Sequence, residues 1–446
     1  MERSAGARGD LHRRFFRLAL INILTNVTVP LVGLVDTAML GHLADIRFLA
    51  GVALASILFD YVYWSFGFLR MGATGTTAQA VGRDDAHEVY LVLYRFLAVA
   101  GILGVALIVL KGPVRELGFV LLSGESGVEA AGRDYFDARI WGAPATLCNY
   151  AFLGWYLGRE ESRHALVMTV IGNLANVGLN YVFIIRMGLA AQGAGLATMA
   201  SQYLMLAVAV TIFLQVGKPV AWRWREVMHR ERLVALTKLN VDIMVRTFCL
   251  QTTFAVFTNF SSLMGTTILA ANAIILRLLL LASYFIDGAA FASESLAGIF
   301  RGQGDRDRLR KLVRLSLLSG LGFAVLFLVA LGLTSGLFYR LLTSHEDVIR
   351  TAVRYHLWFV PVLLFGSQAY MWDGIFLGLT AGRALRNSML VSTVLVFLPV
   401  AALALYLGSP HLLWAALVIF MIARTVTLGI ASRSLLHDGE SSSSSP

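Results

Sequence analysis

Apolar residues along this chain run on for twenty or more positions at a time and are then cut by short polar, mostly basic turns. A run of that length crosses a hydrocarbon core about 30 Å thick when coiled as an α-helix rising about 1.5 Å per residue. Twelve such spans are predicted, over 15–43, 48–79, 89–121, 134–158, 164–186, 192–216, 233–264, 268–299, 309–342, 348–378, 386–407 and 411–433. The runs are rich in Leu, Ala, Val and Gly, which suits packed helices better than the alternating ten-residue strands of a barrel. The expected fold class is an all-α integral membrane protein.

Composition agrees, with 57% hydrophobic and only 14% charged residues among 446. A soluble chain carries roughly a quarter charged residues. The net charge of +10 changes the picture through its placement. Arg83, Arg159, Arg163, Lys218, Arg223, Arg225, Arg301, Arg306, Arg383 and Arg386 follow even-numbered spans, whereas the opposite turns hold few basic residues. Cytoplasmic loops collect Lys and Arg, so both termini are expected in the cytoplasm of a multi-pass membrane protein. Attraction to anionic lipid headgroups accounts for the excess charge, and no nucleic-acid partner is needed. The first run, behind Arg3, Arg8, Arg13 and Arg14, is too long for a signal peptide and lacks a small-residue cleavage pattern. Cys148 and Cys249 fall inside spans and read as buried free thiols. The Ser-rich tail over 434–446 reads as disordered.

The chain also resembles itself. "PATLCNYAFLGWYLGREESRHALV" from Pro144 matches "PVLLFGSQAYMWDGIFLGLTAGRALRNSMLV" from Pro361, and "LAGVAL" from Leu49 matches "LAANAI" from Leu269, both displaced by about 220 residues. An even number of spans separates the copies, so they keep one orientation, as in two pseudo-symmetric six-helix lobes. The lobes are expected over 15–216 and 233–433, after a cytoplasmic segment 1–14, with the basic stretch "GKPVAWRWREVMHRER" over 217–232 as linker.

In this frame "VPLVGLVDTAMLGHL" on span 1, "FLRMGATGTTAQAVGRDD" closing span 2, "GNLANVGLNYVFI" on span 5 and "WDGIFLGLTAGRALRNSM" on span 10 resemble the multidrug and toxic compound extrusion (MATE) family, in its DinF-type branch. The resemblance covers nearly the whole chain. It implies a secondary antiporter that expels amphipathic, often cationic, small molecules in exchange for protons or sodium ions, acting as a monomer without cofactor or bound metal.

A carboxylate within a membrane span costs roughly 2.5–3.5 kcal/mol, so Asp36 on span 1 is the first functional candidate. It lies in the outer half, and Pro30 six residues earlier removes a backbone hydrogen bond and invites a kink. The plain alternative is a structural acid hydrogen-bonded to neighbouring helices. Asn173, Asn176 and Asn180 on span 5 fall along one stripe and could hold that acid through its titration, or could simply join helices. The resemblance implies a proton cluster of the span 1 acid with an asparagine and, four residues on, an aspartate of span 5. Asp36 and Asn176 match the first two, whereas Asn180 stands where the second acid would be.

Secondary candidates are Asp60, with Arg70 ten residues on, and in the second half Asp287, Glu294 and Asp373. These acids either carry coupling ions or pair with Arg277 and cytoplasmic-end arginines. Sodium-coupled relatives place acids on spans 7 and 10, and the membrane part of span 7 here has none, which favours protons. Asp242 and Arg246, four apart at the start of span 7, are expected to pair with each other. Tyr63, Trp64, Met71, Tyr150, Tyr284, Phe291, Tyr370 and Met371 could receive a greasy cation, or serve as packing. Rival readings are a sodium-coupled antiporter of the same fold and a flippase for a lipid-linked precursor; for the latter only Arg70, Arg277 and Arg246 offer basic groups. His42 reads as an interfacial residue, and no catalytic or phosphate-binding motif is present, so no enzyme is expected.

Overall fold

The computed structural model describes the backbone of residues 2–41, 43, 45–122, 124–216, 223–343 and 345–437, and their side chains except those of 2–9, 29, 31, 32, 34, 36, 224, 333–337, 341, 342 and 434–437. The expectations for His42, for 217–222 of the linker and for the tail from 438 lie outside these residues. Of the described residues 92% are helical, with no strand among them.

The helices are α1 (Glu2–Gly41), α2 (Ile46–Ser65), α3 (Phe68–Gly82), α4 (Ala86–Val109), α5 (Lys111–Leu121), α6 (Ser126–Arg139), α7 (Ala143–Gly158), α8 (Ser162–Asn180) and α9 (Ala190–Val216). After a short α10 (Trp224–Val227) come α11 (Arg230–Leu263), α12 (Thr266–Gly302), α13 (Arg306–Leu342), α14 (Glu346–Gly378), α15 (Gly382–Leu390), α16 (Leu398–Tyr406) and α17 (Pro410–His437). Nine helical stretches among the described residues are long and apolar enough to cross a membrane. With α1, the α6–α7 pair and α11 they make the twelve of the two-lobe fold.

Several spans are not the simple rods their apolarity suggests. Span 2 breaks at Phe66–Gly67 into α2 and α3. Span 3 ends at Leu110, and the residues up to Leu121 form the separate α5, whose first turn holds Pro113, a residue without a backbone donor. Span 4 starts earlier than expected, at Ser126, and is interrupted by a 3₁₀ turn over Ile140–Gly142 just before Pro144. By contrast α1 runs through Pro30 and α14 through Pro361 as continuous helices. Spans 5 and 11 each contain a π-helical turn, at Tyr181–Arg186 and Val391–Phe397.

The chain forms two compact units, one of the residues up to Ile23 with those from Lys238 onward, the other of Leu24–Thr237. In the first unit the start of α1 packs on α12, with Gly288 against Ile23 and the Arg14 guanidinium 5.9 Å from the Phe300 ring centroid. Each unit repeats the same local devices. Gly154 and Gly158 on α7 let the backbone carbonyls of Arg70 and Thr74 on α3 approach; Gly374 and Gly378 on α14 do the same for Ala290 and Glu294 on α12. Between α3 and α4, Asp84 takes a left-handed φ of 57° and Asp85 caps α4 by accepting from the Glu88 amide at 3.0 Å. Between α12 and α13, Gly304 takes φ 70° and Asp305 accepts from the Arg308 amide at 2.9 Å. Glu160 and Thr380, with φ 61° and 53°, mark the next turn of each copy. Such φ values are costly for residues other than glycine and persist where the surrounding structure holds them.

The linker is more than a polar connector. Val227 is fully buried, the Glu226 carboxylate lies 2.8 Å from His87 Nε2, and Arg95 donates to the Glu226 carbonyl at 3.2 Å. Thus α10 is fastened to the first turns of α4, where the buried Arg95 also pairs with Glu88 at 2.7 Å. On the side of the unit holding α5, Arg133 donates to both oxygens of Glu116, at 2.7 and 2.9 Å, and Arg115 reaches Asp137 at 2.5 Å.

Two expected outcomes follow from this packing. Replacing Gly378 by Val forces a side chain against the Glu294 carbonyl and is expected to cost about 1–3 kcal/mol, as overpacking does. Thermal melting in detergent checks it, with Gly322→Val, where a Cβ meets nothing within 4 Å, as the tolerated control. At the α5 clasp, hydrogen bonds from Arg133 and then Arg115 hold the Glu116 carboxyl below its usual 4.5. Its contribution is therefore complete above the ordinary carboxylate range and is lost as pH falls through the depressed value. Hydrogen exchange of the α5 amides should quicken on that acidification, and Glu116→Gln should reproduce the change at neutral pH.

Candidate functional site

In the unit of Leu24–Thr237 the three asparagines of α8 make two sets of hydrogen bonds, one through Asn176 and Asn180 and one through Asn173. Asn180 donates to Asn176 Oδ1 at 3.0 Å, Asn176 donates to Thr198 on α9 at 3.4 Å, and Thr198 donates onward to the Ala194 carbonyl. Asn173 donates to Thr28 on α1 at 2.9 Å, and Thr28 in turn donates to the Thr25 carbonyl. Asn176 and Asn180 are buried and Asn173 is half-buried. In a bilayer each amide needs a protein partner, and the side-chain periodicity of α8 supplies partners on two neighbouring helices. Asp36 belongs to α1, eight residues beyond Thr28 and so about 12 Å farther along the helix. Its side chain lies outside the described residues.

A second feature of this unit is Arg139, the last residue of α6. Its guanidinium carbon sits 4.4 Å from the ring centroid of Phe59, 5.5 Å from Tyr135 and 5.7 Å from Tyr63, and Nη1 donates to the Tyr135 hydroxyl at 2.7 Å. Asp60, exposed on α2, interacts with it electrostatically. Tyr63 is therefore buried beneath an arginine, while Trp64 is half exposed. Met71 and Tyr150 are half-buried on α3 and α7.

In the other unit the acids separate by role. Asp373 on α14 is buried, and its Oδ2 accepts from Arg424 on α17 at 2.6 Å and from Arg246 on α11. Two guanidinium groups thus share one carboxylate, at relative exposures of 0% for Arg424 and 7% for Arg246. Neither Arg246 Nε nor Arg424 Nε has a hydrogen-bond partner. Tyr370 lies with its ring 5.5 Å beneath the Arg424 guanidinium, and half-buried Asp287 on α12 interacts electrostatically with Arg246 and Tyr370. Glu294 is fully buried against α14; Tyr284 and Phe291 are half-buried on α12. Met371 is core packing, with its sulfur 3.9 Å from Ser293 Oγ.

One expectation needs correction. Asp242 does not pair with Arg246; it accepts from Arg386 of α15 at 2.6 Å, because Arg246 is turned to Asp373. Asp373 meets the structural alternative expected for it, pairing with Arg246 of α11 and also with Arg424, while Arg277 lies exposed on α12. Arg139 and Arg424 also lie within the helical spans, as Arg70, Arg277 and Arg246 do. Their signal was in the sequence: "FMIARTVTLGI" puts one charge in an apolar run, where it is as costly as an acid.

Two copies of a helical membrane unit, each with its own buried polar groups, are the architecture of repeat-built, multi-pass transporters. The chain belongs to the MATE family: the MatE family model matches residues 22–182 and again 243–403, so each copy carries one match. It is 32% identical to the DNA damage-inducible protein F of Escherichia coli strain K12, over 96% of this chain and 93% of that one. It is 23% identical to the "Probable multidrug resistance protein NorM" of Thermotoga maritima, over 76% and 74% of the two chains. Among solved structures, a MOP superfamily transporter from Pyrococcus furiosus superposes with a TM-score of 0.86 at 17% identity, covering 96% of each chain. The protein is thus a transporter of small molecules with efflux pumps among its homologues, and not an enzyme.

Because two arginines depend on one carboxylate, their replacement should not be symmetric. Asp373→Asn strands two buried guanidinium groups and is expected to cost about 3–5 kcal/mol, more than Arg424→Gln, which leaves a one-to-one pair. Melting of the two variants in detergent checks the order.

Proposed function

We propose that the protein exports amphipathic, cationic small molecules across a bacterial inner membrane in exchange for protons, by alternating access. It works as a monomer with both termini in the cytoplasm and with lobes over 15–216 and 233–433 joined by the linker 217–232. The observation that carries the choice of proton over sodium is the sharing of Asp373 by Arg246 and Arg424. A sodium ion needs oxygen ligands with unspent negative charge, and the α14 carboxylate is already engaged by two fixed cations. The same engagement speaks against a flippase, since these two guanidinium groups are not held out for a pyrophosphate headgroup.

Coupling rests on Asp36, with Asn173, Asn176 and Asn180 as the amides that position the relay. An external proton neutralises the Asp36 carboxylate and so weakens its hold on a cation; the cation leaves, and the protonated carrier returns to load another. Mutual exclusion of proton and cation at one acid links the two fluxes. Asn180 cannot titrate, so the stoichiometry falls to this one acid unless Asp287 or Glu294 takes a second proton. Tyr63, Met71, Tyr150, Tyr284, Phe291 and Tyr370 offer the aromatic and soft surface that such a substrate prefers. Asp60 acts as a counter-charge to Arg139.

In proteoliposomes under separately imposed gradients, a pH gradient should drive export of a cationic dye and a sodium gradient should not. Asp36→Asn should abolish the proton-driven flux while leaving the amount of inserted protein unchanged. Full export by that variant would remove Asp36 from the mechanism.

A further inference from the structure

The aromatic group around Arg139 has the geometry of a binding site for an organic cation, and it is filled from within. Phe59 and Tyr63 are stacked at 5.5 Å, Tyr135 stands edge-on to Phe59 at 6.0 Å and 85°, and Phe136 backs Phe59 at 5.1 Å. The faces of Phe59, Tyr63 and Tyr135 converge on one positive charge. Such convergence is how proteins bind quaternary and delocalised cations. The resident guanidinium is held by those rings and one phenol, while its buried Nε has no hydrogen-bond partner.

We infer that Arg139 is a tethered surrogate for the substrate: it occupies an organic-cation site in the Leu24–Thr237 unit, and substrate binds there by displacing it toward Asp60. Two local features suit that exchange. Arg139 closes α6 immediately before the 3₁₀ turn, whose carbonyls accept from Tyr203 and Thr146, each at 3.0 Å, so the side chain leaves from a joint between helical segments. A mid-helix 3₁₀ stretch is a common place for a hinge. Asp60 follows Phe59 directly and already interacts with Arg139, so a counter-charge is at hand for the displaced guanidinium. The ligand class is a cation with flat or bulky apolar substituents, because the rings reward charge and contact area and supply one hydroxyl only. A small, strongly hydrated cation gains little from them. The inference rests on the reading of cationic substrates and adds that this lobe limits their affinity by self-occupation.

Equilibrium binding of tetraphenylphosphonium to the full-length protein in detergent, at neutral pH and without any ion gradient, tests it. Arg139→Gln should tighten binding about five- to thirtyfold, the range that desolvated cation–π contacts command. Arg139→Lys, which keeps a tethered cation, should stay within about twofold of the parent. Adding Phe59→Leu to Arg139→Gln should cancel the gain. Parent-like or weaker binding by a folded Arg139→Gln protein, or a gain that survives Phe59→Leu, overturns the surrogate role while leaving cation export standing. Absence of binding to the parent and to every variant overturns both. If Arg139→Gln does not fold, a Lys variant that loosens or tightens binding beyond twofold decides against the inference.

Discussion

Inside a bilayer no water answers a charge, so each ionised side chain in this protein must be answered by another part of the same chain. That constraint organises both units. Asp373 is answered twice, by Arg246 and Arg424, and the three residues thereby tie α11, α14 and α17 together. Asp242 is answered by Arg386, which ties α11 to α15. In the other unit Arg139 is answered by aromatic faces as much as by the carboxylate of Asp60. Buried pairs of this type add less stability than apolar packing of equal volume, yet removing one member is costly, so they specify which helices meet and in what register.

The same constraint separates structural charge from functional charge. A carboxylate oxygen that already accepts from two arginines has little left to offer a transported ion. An acid among amides is different, because amides can donate to a carboxylate or accept from a carboxylic acid. Asn173, Asn176 and Asn180 place three such amides along α8. Asn173 is joined through Thr28 to α1, and Asn180 and Asn176 are joined through Thr198 to α9, so α8 is fastened to both helices.

The two copies share their scaffold but not their chemistry. Glycines on α7 and α14 admit carbonyls of α3 and α12, and the caps at Asp85 and Asp305 begin the following helices alike. Tyr150 and Tyr370 occupy matching places in the repeat, yet Tyr370 packs beneath Arg424 beside Asp373. Duplication therefore kept the backbone contacts, which tolerate no side chain, and let the polar interior diverge into a set of amides with a caged arginine in one copy and a charge network in the other.

Much of this was legible without coordinates. Run length and composition determine a helical membrane protein, because a bilayer leaves the backbone few other ways to satisfy its hydrogen bonds. The displacement of about 220 residues between matching motifs determines the duplication. The sequence also marked the costly acids, since a charge in an apolar run is visible to inspection. What it left open was partnership. Asp242 and Arg246 sit at ideal helical spacing and still choose other partners, because neighbours on a helix surface compete with groups that only packing brings near. Arg424 and Arg139 became meaningful when distant helices delivered a carboxylate to one and the Phe59 and Tyr63 rings to the other. Local spacing is a property of one helix, whereas the answering of a buried charge is decided by several, and that is why it required the tertiary structure.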